Sequence, residues 1–135
     1  MPFSISWYIQ DRVILSHVTG LVTISELKDY NTTLMAHIQA GQYPVHSIIY
    51  QDGVTRIPRD VLAIRRTLTV LDLPDLGWAV HVNENRSPWM YVGLLLAKMT
   101  NSRAHGARTV DEAMEFLRTQ DATLETYAEL RWFKE

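Results

Sequence analysis

Residues 3–18, FSISWYIQDRVILSHV, decide how the fold of this chain begins. The first part of the stretch alternates and places its apolar side chains on one face, namely Phe3, Ile5, Trp7 and Ile9. A period of two is typical of a half-buried β-strand. A short polar break separates this run from a second β-rich run, Val13 to Val18, which Gly20 ends. The stretch therefore predicts an antiparallel hairpin.

Helical and strand patterns alternate after the hairpin. Thr23 and Glu26 fit a capping box that opens a helix, and Gly41 is its predicted end. The apolar run Val45 to Tyr50 predicts a buried strand, and Gln51-Asp52-Gly53 predicts a turn after it.

The second half of the chain continues the alternation. Pro88 predicts the first turn of a helix, and Thr109 with Glu112 predicts a second capping box. The predicted elements are a helix over 60–72, a strand over 77–82, a helix from Pro88 to about Thr100, a strand over 104–108, a helix from 110, and a last helix within 121–135.

This order of elements predicts an α/β fold. The sheet is expected to be mixed, with about five strands: an opening hairpin and then parallel strands that alternate with helices, flanked by four or five helices in all. A chain of 135 residues without a linker or an internal repeat is expected to form a single domain over 1–135.

Composition excludes several classes of protein. The absence of cysteine excludes disulfides, thiolate metal sites and a cysteine nucleophile. A net charge of −2 gives no basic field for nucleic acid. No apolar run approaches the ~20 residues that cross a bilayer, and Asp11 and Arg12 interrupt the first apolar stretch, so no signal peptide is expected. A cytoplasmic protein is the expectation.

Two segments carry a resemblance to a known family. Residues 48–57, IIYQDGVTRI, resemble the buried strand, turn and helix approach of the STAS domain, the fold of anti-sigma-factor antagonists. Residues 109–117, TVDEAMEFL, resemble the capped closing helix of that family. The phosphorylated antagonists carry an Asp-Ser pair where this chain has Pro58-Arg59-Asp60, so the phosphorylatable serine is missing here. The resemblance thus implies a non-catalytic regulatory or protein-interaction domain without that phosphoswitch.

Charged residues follow two predicted strands. In an open α/β sheet ligands bind beyond the carboxyl ends of parallel strands, and helix N-termini there favour anions. Asp52, Arg56, Arg59 and Arg86 are therefore the candidate contacts to a protein partner or an anionic ligand. The alternative interpretation is that they are solvated loop charges.

The predicted helix over Pro88–Met99 is apolar on more than one face. Such a helix is either buried or part of an interface, and the sequence leaves both open. The interface alternative predicts a homodimer. A further alternative is a module that binds a small anionic or lipid-like molecule in an apolar pocket, lined by Trp78, Trp89 or Tyr91, with the arginines around its head group.

Enzymatic chemistry is not predicted. Three histidines fall on successive predicted strands, His46, His81 and His105, but none has a metalloprotease spacing, so no metal site is expected. Nucleophile elbows and glycine-rich phosphate loops are absent from the sequence. The sequence therefore predicts neither a catalytic residue nor a cofactor.

Overall fold

The structure, a computed structural model, describes residues 3–84, 88–100 and 102–125, without the side chains of residues 88 and 89. Its strands are β1 (Phe3–Ile9), β2 (Val13–Leu21), β3 (Val45–Arg56), β4 (Leu76–Val82) and β5 (Arg103–Ala107). Its helices are α1 (Ile24–Ala40), α2 (Val61–Thr67), α3 (Pro88–Thr100) and α4 (Val110–Gln120), with a 3₁₀ turn at Thr69–Asp72. The predicted α/β class and element order are confirmed.

The five strands form one mixed sheet in the order β1-β2-β3-β4-β5. β1 and β2 pair antiparallel, as the hairpin prediction requires, and every later pair is parallel. Because each parallel strand is added on the same side of the one before it, right-handed crossovers place α1, α2 and α3 on the same face of the sheet. Helix α4 follows the last strand and covers the other face.

Each face of the sheet has its own apolar core. On the α4 face, strand residues such as Val13, Ile48 and Val80 pack against Met114 and Leu117. On the opposite face, the core joins the sheet to α1 and the 3₁₀ turn through Ile14, Tyr30, Leu34, Ile38, Val45, Val70 and Leu76. The side chains of β4 alternate between the two faces: Val80 and Val82 belong to the α4 face, while Ala79 and His81 face the other side.

The predicted turn at Gln51-Asp52-Gly53 is wrong, because β3 continues through it to Arg56. Strand β2 also runs past its predicted end at Gly20, and its last residues give the extension of β3 a partner. The pairing of β2 with this part of β3 contains two register shifts. The segment is therefore a paired strand with irregular, bulge-like positions near its polar residues. Gly53 fits there because a Cβ would lie 2.9 Å from the Thr19 side chain.

The helix ends follow the predicted signals in part. The capping box of Thr23 and Glu26 is complete, and Gly41 is the C-cap of α1. At α4 only half of the predicted box forms: Thr109 accepts from the N–H of Glu112, but the Glu112 carboxylate accepts from the N–H of Arg108 instead.

The predicted helix over 60–72 is divided. Helix α2 begins after its N-cap Asp60 and ends at Thr67, and the 3₁₀ turn replaces its last part. Of the predicted last helix, only residues 121–125 are described, and there Leu124 is fully buried against the α4 face. The rest of that prediction lies outside the described residues. Within the described ranges no helix has the length and apolar character needed to cross a bilayer.

Candidate functional site

An apolar pocket lies between the sheet and helices α1, α2 and α3, and we call it the sheet–helix pocket. Its volume is about 150 Å³. Side chains from every neighbouring element line it, among them Leu27, Leu34, Ile49, Leu68, Val92 and Leu96. The pocket exists because three crossover helices share one face of the sheet and do not fill the space between them completely.

Polar side chains interrupt the apolar lining on the sheet side. Ser47, Gln51 and His81 come from β3 and β4 and face the pocket with Ile49 and Ala79. Ser47 is 1% exposed and Gln51 is 7% exposed. Among the described residues, neither the Ser47 hydroxyl nor the Gln51 Nε2 has a hydrogen-bond partner. Buried polar groups without partners are rare and costly, which marks this face of β3 as a candidate site.

His81 is the titratable group that β4 contributes to the sheet–helix pocket. Its Nδ1 lies 3.4 Å from Gln51 Oε1, and burial lowers the pKa of His81 to about 4. The imidazole is therefore neutral at pH 7. Gly93 of α3 lies directly above the ring, and a Cβ at that position would overlap it. A glycine in α3 thus lets the helix approach the histidine closely, so that α3 forms one wall of the pocket.

The unpartnered hydroxyl of Ser47 makes a direct prediction about stability. Ser47→Ala is expected to raise the free energy of unfolding by about 1 kcal/mol, because it removes a buried group that has lost its hydration without gaining a hydrogen bond. Urea denaturation at pH 7.5 measures the change.

Ser16 supplies the matched control, because this serine is equally buried and is paired. The Tyr30 hydroxyl donates to Ser16 Oγ at 2.9 Å, so Ser16→Ala is expected to lower the free energy of unfolding by about 1–2 kcal/mol. Equal losses in both variants would show that Ser47 is satisfied in solution, and would remove it from the candidate site.

The other face of the sheet holds a second polar cluster, made of Arg12, His46 and Asp121. Arg12 Nη2 donates to Asp121 Oδ2 at 2.6 Å, and His46 Nε2 lies 2.9 Å from the same oxygen. Arg12 also donates to Thr123 Oγ1 at 2.9 Å and to the carbonyl of Pro44 at 3.3 Å. Every member has partners, so this Arg12–His46–Asp121 cluster fastens the end of α4 to the sheet.

The hydrogen bonds of His46 fix its tautomer. The N–H of Trp78 donates to Nδ1 at 2.9 Å, so the ring proton is on Nε2 and is donated to Asp121. Burial lowers the pKa of His46 despite the carboxylate. Burial alone would raise the pKa of Asp121, but hydrogen bonds from His46 and Thr123 and the charge of Arg12 lower it to about 2.

The structure describes three of the five site residues predicted from the sequence. Asp52 lies in the extension of β3, and its Oδ1 accepts a hydrogen bond from the N–H of Glu84 at 2.8 Å. This bond joins β3 to the residues that follow β4. Its carboxylate also raises the pKa of Tyr50 through a hydrogen bond. Arg56 ends β3 and Arg59 precedes the N-cap of α2, and both are exposed. Arg86 and the side chain of Trp89 lie outside the described residues.

The predicted aromatic lining of a pocket is wrong for two residues. Trp78 faces α4, where its ring meets the Phe116 ring edge-on at 5.0 Å. Tyr91 is 58% exposed on α3 and does not line the sheet–helix pocket. The alternation of β4 explains the first error, since the pocket is on the face of His81. Sequence reasoning missed two signals: the polar residue Ser47 within the apolar run of β3, and Gln51, which was assigned to a turn but continues the same strand.

The three strand histidines do not come together. His105 stacks on Phe116 at 3.8 Å on the α4 face, and His46 is in the Arg12–His46–Asp121 cluster. His81 faces the opposite side of the sheet. Among the described residues no group of three His, Asp or Glu side chains is arranged to hold a metal ion.

Solved structures share this arrangement of strands and helices. An uncharacterized protein of the DUF3478 family with a SpoIIAA-like fold, from Shewanella loihica PV-4, matches 85% of this chain over 91% of its own, with a TM-score of 0.63 and 9% identity. The anti-sigma factor antagonist SpoIIAA in its unphosphorylated form matches 86% of this chain over 97% of its own, with a TM-score of 0.55 and 15% identity. The chain has a SpoIIAA-like fold.

This finding confirms the STAS-like fold that the two sequence segments indicated. At these identities the likeness concerns the SpoIIAA-like fold alone. No family model and no curated protein matches the chain. Because a shared fold does not determine function, the activity of this chain depends on its own pocket and surfaces.

Proposed function

We propose that this SpoIIAA-like domain is a non-catalytic, cytoplasmic regulatory domain that acts by binding protein, including a second copy of itself. The supporting observation is a set of exposed apolar side chains on α2 and α3, two helices that contact each other. Leu62 is 58% exposed, and the same helical face of α3 carries Tyr91 at 58%, Leu95 at 47% and Met99 at 37%. Exposed apolar patches of this kind mark interaction sites.

Charged residues near this surface complete the proposed contact. Arg56 and Arg59 precede α2, and Asp52 accepts a hydrogen bond from the N–H of Glu84, which precedes Arg86 and α3 in the sequence. Exposed arginines beside an apolar patch suit an acidic surface on a partner and increase its rate of encounter. No Ser or Thr occurs between Thr55 and Thr67, so this surface would work without a phosphate at the start of α2.

The proposed self-association predicts a large effect of substitution at Leu95 on α3, and Leu95→Glu is the variant to make. Wild-type protein is expected to give a dimer in native mass spectrometry at 10 μM, and Leu95→Glu a monomer, because the charge would lose its hydration in the contact. Ala36→Glu, on the exposed side of α1, is the matched control and should remain dimeric. A monomeric wild type, or a dimeric Leu95→Glu, would contradict the proposal.

A second candidate function is the binding of a small molecule. The sheet–helix pocket favours it, because a volume of about 150 Å³ is bordered by buried polar atoms without partners. Its test uses the same native spectrum, recorded on protein purified without added ligand, and a denaturing spectrum of the same sample. A mass excess that disappears on denaturation would support this candidate and give the mass of the ligand.

A further inference from the structure

We propose that the sheet–helix pocket binds a small, mainly apolar molecule that carries an uncharged oxygen, and that Gln51, held beside His81, recognises this oxygen. The inference rests on the ligand-binding candidate above and names its class of ligand. Three observations carry it: the size of the pocket, the unsatisfied amide of Gln51, and the charges of the lining.

The size of the pocket limits the buried part of the ligand. A dry cavity of about 150 Å³ lined by aliphatic side chains accepts a molecule the size of benzene. The sheet–helix pocket has a similar volume, about 150 Å³, and a lining that is mainly apolar. One ring, or a chain of similar volume, therefore fits between the sheet and the helices.

The amide of Gln51 supplies the polar contact. Its Oε1 faces His81 Nδ1 at 3.4 Å, which leaves Nε2 as a buried donor without a partner among the described residues. An oxygen on the ligand would accept from Nε2 and satisfy it. A hydroxyl also suits the reverse orientation of the amide, because it can donate to Oε1 as well. Ser47 is four residues from Gln51, about 13 Å along the strand, so it would not contact the same oxygen of the ligand.

The charges of the lining favour a neutral ligand. Among the described residues that line the pocket, Glu26 is the one charged side chain, and its carboxylate already accepts from the N–H of Thr23 at 2.9 Å. Neither Arg56 nor Arg59 is part of this lining. A carboxylate or an ammonium group would lose its hydration beside Ile49 and Leu96 without meeting an opposite free charge. We therefore propose a ligand with an uncharged polar group, whereas the sequence alone suggested an anionic head group.

A series of four probes with the same ring tests this inference: benzyl alcohol, toluene, benzoate and benzylamine. Each is titrated at pH 7.5 into the ¹⁵N-labelled full chain, and the backbone amide of Gly93 and the side-chain amide of Gln51 are followed by NMR. Benzyl alcohol is expected to bind at least tenfold more tightly than benzoate or benzylamine. It should bind about fivefold more tightly than toluene, the effect of one net hydrogen bond.

Gln51→Met tests the assigned residue, because it keeps the volume and removes the amide. The preference for benzyl alcohol over toluene is expected to fall below twofold in this variant, while Gln39→Met on the exposed side of α1 keeps the wild-type ratio. The wild-type ratios stand as a test by themselves if Gln51→Met does not fold.

The outcomes separate the inference from the function on which it rests. If no probe moves the resonances of the pocket, the ligand-binding candidate fails, and this inference fails with it. If toluene or benzoate binds at the same amides as tightly as benzyl alcohol, the pocket takes ligands but the assignment of an uncharged oxygen is overturned. An unchanged alcohol preference in Gln51→Met would overturn the role of Gln51.

Discussion

Replacing Asp121 with alanine is expected to lower the free energy of unfolding by about 3 kcal/mol. The carboxylate accepts from Arg12 at 2.6 Å and from His46 at 2.9 Å, and the side chains of these two residues are 5% and 2% exposed. Removal of one partner from a buried ion pair leaves the other charge without compensation, which typically costs about 3–5 kcal/mol. The bonds from Arg12 to Thr123 and Pro44 remain and place the estimate at the lower end.

Urea denaturation at pH 7 measures this effect, and two further variants define its cause. Asp121→Asn keeps an oxygen for Arg12 but removes the charge, so about half of the loss is expected. Asp29→Ala, at an exposed position of α1, is the control and should change stability by less than about 0.5 kcal/mol. A loss below 1 kcal/mol in Asp121→Ala would mean that the cluster does not fasten α4 to the sheet.

Local patterns in the sequence were sufficient for most of the fold. The alternation of Phe3 to Ile9 gives β1 its period of two, and Thr23 with Glu26 forms the complete capping box of α1. These signals act between residues that are close in the chain, so a sequence displays them directly. The resulting order of strands and helices then left few topologies, because parallel crossovers share one hand.

The extension of β3 through Gln51-Asp52-Gly53 depended on a partner that local patterns do not reveal. These letters are typical of a turn, but the backbone of β2 continues beside them and pairs Thr19 with Gly53. Strand pairing over this distance in the sequence overrode the local preference. Asp52 was expected in a turn but lies within β3, where it accepts a hydrogen bond from Glu84.

The candidate site was predictable only in part, because two of its features are long-range. Arg12 and Asp121 are separated by 109 positions, and no local sequence pattern predicts a contact between residues so far apart in the chain. The sheet–helix pocket exists where helices from three crossovers meet, so its volume follows from packing rather than from any motif. Ser47 is a polar residue within the predicted apolar strand, but Gln51 was assigned to a turn, so the common face of these two residues emerged only from the extension of β3.

A fall in pH from 7 to 4 is expected to destabilise the protein through His81. Burial lowers its pKa from 6.5 to about 4, so the unfolded chain takes up a proton at a higher pH than the folded chain does. The stability of the neutral form is complete above pH 6.5 and is lost progressively as the pH falls toward 4. A shift of this size corresponds to about 3 kcal/mol, and since the ring is half-buried at an open pocket we expect about 2 kcal/mol.

His81→Met isolates this contribution, because methionine fills a similar space and does not titrate. The free energy of unfolding is measured in urea at pH 7.5, 6, 5 and 4.5, and the wild-type loss is compared with that of the variant. The variant should lose about 2 kcal/mol less, whereas Ile49→Met, which alters the same lining without a titrating group, should follow the wild type. Burial also lowers the pKa of His46, and protonation of its Nδ1 would displace the N–H of Trp78. Part of the dependence of stability on pH is therefore expected to remain in every variant. If the free energy of unfolding depends on pH in the same way in wild type and His81→Met, water reaches the His81 ring in the folded protein. The sheet side of the sheet–helix pocket would then be hydrated.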